Sequence, residues 1–417
     1  MATKTTKRSA KTQRRKAETT PARAGNGAPP HPKWQKGFPG QVVLVLQGGG
    51  ALGAYQVGVY EAMHEAGVEP DWVIGTSIGA INAALIAGNP PSKRLERLTE
   101  FWARLECPCA EFDPLHFFTG LANASANLAT VTRGIPAFFT PHVPAWLGSH
   151  IPLGVEAAAY YTTTPLRETL AGLIDLEHIN ARHVRLTVGA VNVRTGEMRY
   201  FDSRDEAVHL DHVIASGALP PAFPAVRIGD DPYWDGGIYS NTPIEAVLDD
   251  KPRRDSVIFA VQMWNPEGPD PATLWEVMER QKDIQYSSRA RSHIARQKQI
   301  HHLRHIIREL SKKFPEQLRE SPEVKELASW GCSTTMHVAR LVAPKLDGED
   351  HTKDIDFTPT GIRARWQAGY EDTKRMLDAA PWRAPVAPID GVVIHDPILR
   401  SAFEMARGVN GFGGRTK

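Results

Sequence analysis

Short apolar runs alternate with helical patterns of apolar positions in the early part of the sequence. Residues 41–46 are almost entirely apolar and rich in valine, which predicts a strand buried on both faces. Residues 54–66 follow with helical spacing and end at Gly67, and residues 71–75 and 78–87 repeat the strand and the helix. This strand–helix rhythm predicts an α/β fold built on a parallel sheet.

The regular pattern breaks down between residues 107 and 165. This segment is rich in aromatic residues and proline and poor in charge. Long loops inside a domain are often functional covers, so we predict a lid-like apolar insertion, with a buried subdomain as the alternative. Residues 185–192 and 256–263 then predict two further buried strands.

The sequence after residue 265 has a mainly helical pattern. Residues 272–309 form a long basic amphipathic stretch, and Thr358-Pro359 has the composition of a helix start. We therefore predict a core α/β domain over residues 38–265 and a mainly helical C-terminal extension over residues 266–417. The basic face of the long helix is expected to be solvated, and contact with a membrane is the alternative.

The first 37 residues carry many Lys and Arg residues and few large apolar ones, although the net charge of the whole chain is only +2. This composition predicts a disordered basic tail that lacks the apolar middle of a secretory signal. Its charge would suit an anionic membrane or granule surface, whereas nucleic acid is not expected as a partner. The three cysteines form no disulfide framework and fit a reducing compartment. We therefore expect a cytoplasmic protein, either free or peripheral on a membrane.

A glycine-rich turn follows the first predicted strand in the segment VLVLQGGGALGAYQVGVY. Gly48, Gly50 and Gly53 satisfy G-x-G-x-x-G, a fingerprint of dinucleotide-binding domains. Such a turn presents main-chain N–H groups at a helix start, and it suits either a phosphate or a reaction oxyanion. A dinucleotide domain also needs an acidic residue at the carboxyl end of the second strand, but Asp71 lies at the opposite end. Nucleotide binding is therefore the weaker hypothesis.

The carboxyl end of the second predicted strand carries G-T-S-I-G at residues 75–79. G-x-S-x-G between a strand and a helix is a nucleophile elbow, in which small residues allow a sharp turn that exposes the serine hydroxyl. Ser77 is therefore the candidate nucleophile for attack on an ester carbonyl. We predict that main-chain N–H groups of Gly49 and Gly50, joined by that of Ile78, stabilise the negative charge that this attack creates.

Ser77 needs a base, and Asp235 in the segment YWDGGIYSNTP is the candidate. A carboxylate in a tight glycine turn beside aromatic residues is partly desolvated, which raises its basicity. The same glycines also fit a plain turn without a catalytic role. The segment alone leaves both interpretations open.

Taken in order, these motifs resemble those of the patatin-like phospholipases. The resemblance rests on the G-G-G-x-x-G turn, the G-T-S-I-G elbow, the D-G-G turn, and Asn241 and Pro243 after it. It covers residues 42–250 and implies a three-layer α/β fold with a central, mostly parallel sheet. It also implies a Ser77–Asp235 dyad that hydrolyses lipid or other acyl esters without a metal or another cofactor.

The resemblance also implies roles for the residues around the dyad. The implied oxyanion-hole residues are Gly48, Gly49 and Gly50. The implied supporting residues are Gly53, Gly75, Ile78, Gly79, Gly236, Gly237 and Asn241. One position departs from the family pattern, because Leu52 stands where the family commonly has Arg or Lys.

Two other functions stay open at this level. The chain order Ser77, Asp235, His395 also fits the Ser-His-Asp triad of an α/β-hydrolase esterase. Against the triad, a nucleophile on the second strand is early for that fold, and His395 lies beyond a long helical region. A non-catalytic lipid- or granule-binding scaffold would use the basic tail and the amphipathic helix. The complete elbow around Ser77 speaks against such a scaffold.

Overall fold

A computed structural model describes residues 35, 37–107, 134–142, 144, 150, 152–346 and 349–396, with only the backbone described at residues 288–290. The predicted basic tail over residues 1–37 lies outside the described residues, except for Gln35 and Gly37. Much of the predicted insertion over residues 107–165, and the end of the predicted extension from residue 397 onwards, also lie outside them. The described residues belong to one compact unit.

A mixed β-sheet forms the centre of this unit. Along the chain, the strands are β1 (Gln41–Leu46), β2 (Trp72–Thr76), β3 (Thr140–Pro141), β4 (Tyr161–Thr162), β5 (Arg185–Asn192), β6 (Met198–Asp202), β7 (Val226–Ile228), β8 (Asp231–Asp235), β9 (Ser256–Gln262), β10 (Met336–Val342) and β11 (Val392–His395). Within the described residues the sheet order is β11-β10-β9-β1-β2-β5-β8-β7, with β6 paired to β5, and β3 and β4 form a separate pair. The strands from β11 to β5 are parallel to their neighbours, whereas β6, β7 and β8 pair in antiparallel fashion. The predicted mostly parallel sheet is confirmed.

Helices lie on both faces of this sheet. The described helices are α1 (Ala54–Glu65), α2 (Ile78–Ala87), α3 (Pro91–Leu105), α4 (Thr164–Leu173), α5 (Leu176–Asn180), α6 (Leu210–Ser216), α7 (Glu245–Leu248), α8 (Leu274–Lys313), α9 (Glu316–Arg319), α10 (Pro322–Ser329) and α11 (Pro359–Ala379). Because side chains alternate along a strand, Val42 and Leu44 of β1 pack in one core with α1, α2 and α3. Val43 and Val45 pack in a second core with α7 and α8. This helix–sheet–helix arrangement confirms the three-layer α/β fold.

Predicted and observed element bounds agree closely. β1, α2 and β5 have the predicted bounds, and β2, β9 and α1 differ from them by one residue at one or both ends. The helix predicted over residues 272–309 is α8. It begins directly after Thr273, whose side chain accepts the Glu276 N–H in a capping box, and it continues to Lys313, shortly before Pro315.

The region after residue 265 contributes both helices and strands. It is mainly helical, as predicted, but β10 and β11 extend the central sheet beyond β9. α11 packs on α1, where the Tyr370 hydroxyl donates to the Glu65 carboxylate at 2.6 Å. The segments predicted as a domain over residues 38–265 and an extension over residues 266–417 therefore share one sheet in the described part of the chain.

The pairing of β5 places the carboxyl end of β8 beside the carboxyl end of β2. Gly189 of β5 pairs with Thr76 of β2, and the next residue, Ala190, pairs with Asp235 of β8. Both β5 residues pair with β6 on their other side, so β2 and β8 follow one another along the same side of β5. Ser77, the residue after Thr76, therefore lies next to Asp235.

Candidate active site

Ser77 occupies the sharp turn between β2 and α2. Its backbone has φ 56° and ψ −128°, a strained conformation for a residue with a Cβ atom. The Ser77 N–H donates to the carbonyl of Ser216 at 3.1 Å and to its hydroxyl oxygen at 3.0 Å. The Ser216 hydroxyl donates in turn to the Gly189 carbonyl at 2.6 Å. A Cβ atom on Gly75 would collide with the backbone of Gly79, which explains the glycines on both sides of Ser77.

The Asp235 carboxylate lies beside the side chain of Ser77, and both residues line the same cavity. The carboxylate also accepts the Gly237 N–H at 2.7 Å, and only 2% of Asp235 is exposed. Burial raises the pKa of Asp235 to about 7, although the Ser77 side chain and the Gly237 N–H both act in the opposite direction by stabilising the ionised form. A carboxyl group with this pKa exchanges its proton near neutral pH, as a general base requires.

Gly48 anchors the glycine turn. Its N–H donates to the main-chain carbonyl of Asn241 at 3.1 Å. Its carbonyl accepts from the side-chain amide of Asn241 at 3.1 Å and from the indole N–H of Trp264 at 2.8 Å. The N–H of Gly48, predicted in the oxyanion hole, is therefore already engaged, and Asn241 holds the turn in place.

Three other main-chain N–H groups on the cavity wall donate to no described residue: those of Gly49, Gly50 and Ile78. Ile78 begins α2, and Gly50 begins a 3-10 turn, so neither N–H has a partner within its own helix. Gly50 has φ +57°, and a Cβ atom there would collide with the Asp354 carbonyl, so this position requires glycine. The Ala51 N–H donates to that same carbonyl at 2.9 Å. The remaining predicted supporting glycines lie in the elements of this site, and they are Gly53, Gly79 and Gly236.

Gln47 and Trp264 connect the strands around the turn, and neither was predicted. Gln47 is fully buried at the end of β1, where its side-chain oxygen accepts the N–H groups of Met263 and of Trp264, the latter at 3.1 Å. Its side-chain amide donates to the Thr242 hydroxyl at 2.7 Å. Gln47 could have been singled out in the sequence, because it is a polar residue directly after an apolar strand. No local pattern marks Trp264 or the equally unpredicted Ser216.

Ser77 and Asp235 line a cavity of about 200 Å³. The aromatic residues of its wall are Phe138, Phe139, Tyr161, Phe223, Trp264, Tyr286 and Phe357. The ring centroid of Phe139 lies 4.9 Å from that of Tyr161 and 5.4 Å from that of Phe223. None of the described residues that line the cavity is His, Lys or Arg. Its shape and lining therefore suit an apolar group whose reacting end reaches Ser77.

A larger cavity of about 440 Å³ borders the same glycine turn but contains neither Ser77 nor Asp235. Its described lining contains many charged residues, and some are paired with one another, as Lys353 is with Asp283 at 2.8 Å. Leu52, at the position where the resembling family commonly has a basic residue, is buried against this cavity. The smaller cavity is the candidate active site, because Ser77, Asp235 and the residues with unengaged N–H groups all line it.

His395 lies far from Ser77. It ends β11, the edge strand of the sheet, which is four strands from β2 and therefore about 19 Å away at the usual strand spacing. Its Nε2 atom is hydrogen-bonded to Nδ1 of His337 at 3.0 Å. The alternative Ser77–Asp235–His395 triad is therefore not formed, because sheet order and not chain order decides which side chains meet.

The acidic residue that a dinucleotide site would use does not reach the glycine turn. Asp71 accepts the Val42 N–H at 2.8 Å at the start of β1, so it lies at the opposite end of the strands from the glycine turn. In the described part of the chain, no group of three or more His, Cys, Asp and Glu side chains is arranged to hold a metal ion. No described helix combines the length and the apolar character needed to cross a lipid bilayer.

Several known proteins are similar to short parts of this chain. Patatin-like phospholipase domain-containing protein 6 of Homo sapiens is 44% identical over 63 residues, which are 15% of this chain and 5% of that protein. Lysophospholipase nte1 of Aspergillus terreus is 61% identical over 46 residues, or 11% of this chain and 3% of that protein. Lysophospholipase NTE1 of Chaetomium globosum is 40% identical over 98 residues, which are 21% of this chain and 6% of that protein. The chain thus spans only a small part of the length of these relatives.

Solved structures and family models cover more of the chain. VipD from Legionella pneumophila superposes with a TM-score of 0.34 and 16% identity, over 82% of this chain and 67% of that chain. The ExoU–SpcU complex of Pseudomonas aeruginosa gives a TM-score of 0.30 and 14% identity, over 82% of this chain and 52% of that chain. A family model described as patatin-like phospholipase matches residues 44–248, and one described as patatin phospholipase matches residues 284–388. Both models describe patatin phospholipases, and the sequence motifs within residues 44–248 lie on the strands and helices that meet at Ser77. The chain therefore belongs to the patatin-like phospholipase family.

Proposed function

We propose that this protein hydrolyses carboxylic esters of lipids, with Ser77 as the nucleophile and Asp235 as the general base. The observation that carries the proposal is the placement of the Ser77 side chain beside the buried Asp235 carboxylate in an apolar cavity. Two of the relatives bear the name lysophospholipase, which supports a lipid ester as the substrate class. The aromatic wall of the cavity offers an apolar surface for the acyl chain.

In the first half of the reaction, Asp235 accepts the hydroxyl proton while Ser77 Oγ attacks the carbonyl carbon of the ester. The carbonyl oxygen becomes negatively charged, and the N–H groups of Gly49 and Gly50, together with that of Ile78, stabilise this charge. Fixed donors of this kind act mainly in the transition state, where each contributes about 3 to 4 kcal/mol. Asp235 then gives the proton to the leaving alcohol, and the acyl group remains on Ser77.

In the second half, water takes the place of the alcohol. Asp235 accepts a proton from the water as its oxygen attacks the acyl carbonyl, and the same N–H groups stabilise the second tetrahedral intermediate. Ser77 regains a proton from Asp235 when the carboxylic acid leaves. One carboxyl group can serve both halves because a pKa of about 7 allows it to hold and to release the proton near neutral pH.

A panel of esters tests this proposal. It contains p-nitrophenyl esters of increasing acyl length, a lysophospholipid and a phospholipid, with the Ser77→Ala variant as the blank. We expect hydrolysis above the blank, with a preference for acyl length that reports the size of the aromatic cavity. No hydrolysis above the blank for any ester, together with no labelling of Ser77 by a fluorophosphonate, would contradict the proposal and favour a non-catalytic lipid-binding role.

The His395→Ala variant is expected to hydrolyse a soluble ester with kcat/KM within roughly twofold of the wild-type value, because His395 does not touch the reacting atoms. Its side chain is hydrogen-bonded to that of His337 at 3.0 Å, at the edge of the sheet. Steady-state kinetics on the best p-nitrophenyl ester measure the effect, and the thermal unfolding midpoint checks that the sheet edge is intact. A severe loss of kcat in a folded variant would restore the triad as an explanation.

Removal of residues 1–34 is expected to leave the hydrolysis of a soluble ester unchanged. The cut spares Gln35, whose side-chain oxygen accepts the Glu69 N–H at 3.0 Å. Each basic residue of the tail near an anionic surface contributes up to about 1 kcal/mol to binding at low salt, so the truncated protein should bind phosphatidylserine vesicles more weakly. Vesicle sedimentation at low and high salt measures this. Lost activity on the soluble ester would contradict the first expectation, and unchanged sedimentation the second.

A further inference from the structure

A segment from the C-terminal region forms part of the wall of the ester cavity. Residues 349–357, which we call the wall loop, contribute Asp354, Ile355 and Phe357 to the lining of the cavity that holds Ser77. The Phe357 ring lies 6.3 Å from the ring of Phe138 on the aromatic wall. The wall loop therefore belongs to the site, although the motifs of the nucleophile and the base end well before it.

The wall loop also touches the glycine turn directly. The Asp354 carbonyl accepts the Ala51 N–H at 2.9 Å. The same carbonyl occupies the space where a Cβ atom of Gly50 would stand. Because Ala51 follows Gly50, whose N–H we propose as an oxyanion donor, a shift of Asp354 would reorient that donor.

Ion pairs fix the wall loop to the two long helices. Lys282 of α8 donates to the Asp354 carboxylate at 2.7 Å and to the His351 carbonyl at 2.8 Å. Lys353 of the loop pairs with Asp283 of α8 at 2.8 Å. Arg365 of α11 holds the two ends of the loop through Glu349 and Asp356, each at 3.0 Å. Of these cations, Lys282 is the one that holds the residue in contact with the glycine turn.

We infer that Lys282 is a positioning residue for ester hydrolysis, acting through Asp354 on the oxyanion donors of the glycine turn. The inference rests on the proposed function. Without the Lys282 cation, the Asp354 carboxylate would remain at the cavity wall, only partly exposed and without its ion-pair partner, close to the place where the oxyanion forms. Its movement would displace Ala51 and Gly50, and its charge would oppose the charge that develops on the substrate.

Both effects act on the transition state and not on the bound ester. Misplacement of a catalytic group by about 1 Å can lower a rate by about a hundredfold, and a fixed donor stabilises the oxyanion far more than the neutral carbonyl. Loss of Lys282 should therefore lower kcat and leave KM nearly unchanged. A residue that only supported the fold would change stability without this separation of kcat from KM.

The test compares Lys282→Met with Lys282→Arg in the full chain, on the best soluble ester of the panel. We expect Lys282→Met to lower kcat by about 10- to 100-fold with KM within about twofold, and Lys282→Arg to keep most of the activity, because the cation is retained. Lys312→Met is the matched control: Lys312 lies on the same helix and is paired with Glu309 outside the cavity. This control should behave like the wild type.

An inhibitor pair separates positioning from general damage. A trifluoromethyl ketone adds Ser77 Oγ to its carbonyl carbon while the proton passes to Asp235, so its oxygen carries the charge of the oxyanion. Its affinity should fall with Lys282→Met by the same factor as kcat, whereas the affinity of the matching methyl ketone, which stays a neutral ketone, should not change. Equal losses for both ketones would overturn the inference.

The remaining outcomes are also decisive. If Lys282→Met does not fold, Asp354→Asn takes its place, because it keeps the loop and weakens the ion pair. Since this variant also removes the negative charge of Asp354, only the displacement of the donors remains, and a smaller loss of kcat with KM nearly unchanged is expected. Wild-type kcat in the folded variant, or an equal loss in Lys312→Met, would overturn the positioning role and leave the proposed function intact. A wild-type protein that neither hydrolyses esters nor labels at Ser77 would overturn both.

Discussion

Replacement of Ser77 by alanine is expected to abolish ester hydrolysis, with a loss of kcat of at least about 10⁴-fold. The reason is that Ser77 is the only serine or threonine among the described residues that line the cavity, and that it lies beside Asp235. Removing a nucleophile removes the acyl-enzyme route entirely and leaves only the contribution of the oxyanion site and of binding. The kinetic measurement is kcat on the best ester, and a fluorophosphonate gives the second, covalent measurement.

Labelling by the fluorophosphonate should be found on Ser77 in the wild-type protein and be absent from Ser77→Ala. The variant should keep its fold, because the contacts that fix the elbow are made by the main-chain N–H of residue 77 with Ser216. Ser329→Ala is a matched control, since Ser329 lies on α10, where its hydroxyl donates to the Glu326 carbonyl outside the cavity. Undiminished hydrolysis in Ser77→Ala, or labelling that persists in it, would exclude Ser77 as the nucleophile.

Asp235→Asn is expected to lower kcat by about a hundredfold or more while changing KM little. The amide has the shape of the carboxylate but cannot accept the Ser77 proton, and general acid–base catalysis typically contributes factors of this size. The wild-type kcat/KM should rise with pH and level off above a limb near pH 7, because burial raises the pKa of Asp235 to about 7 and only the ionised form is a base. Rate measurements from pH 5 to pH 9 on both proteins check this, and the limb should be absent in the variant.

The pH dependence of stability gives a control for the same variant. The pKa of Asp235 is raised in the folded state above its unfolded value of about 3.9, so burial of the protonated form is favoured. The stabilisation of the folded state by protonated Asp235 is complete below about pH 4 and is lost as the pH rises through about 7. Asp235→Asn, which does not ionise, should therefore gain unfolding free energy relative to the wild type as the pH rises from about 4 to about 7. A limb that persisted in the variant, or a stability difference independent of pH, would assign the titration to another group.

Those parts of the site that depend on neighbouring positions could be predicted from the sequence. An apolar run, G-x-S-x-G and a helical pattern follow one another around Ser77, and β2 and α2 form in that order. Asp235 is different, because its D-G-G segment fits a plain turn equally well. It meets Ser77 through the pairing of β8 with β5, and no local pattern encodes that register. The family resemblance supplied the connection.

The contribution of the C-terminal region could not be predicted for a related reason. β10 reads MHVARLV, in which His337 and Arg340 interrupt the apolar run, so the pattern did not indicate a buried strand. The contacts of Trp264 with Gly48 and of Lys282 with Asp354 join positions far apart in the chain. Such contacts follow from how the sheet and the helices pack. That packing decides which polar side chains surround the glycine turn.

The position of β9 between β1 and β10 has a consequence for how the protein is made. On a ribosome, β1, β2 and β9 are synthesised before β10, so the β9 sequence SVIFAVQ first presents an open hydrogen-bonding edge. An apolar strand with one unpaired edge is a template for pairing with another chain, and such species aggregate readily. The growing chain is therefore most exposed to self-association during the synthesis of α8, and a truncated gene product that ended before β10 would carry that open edge permanently.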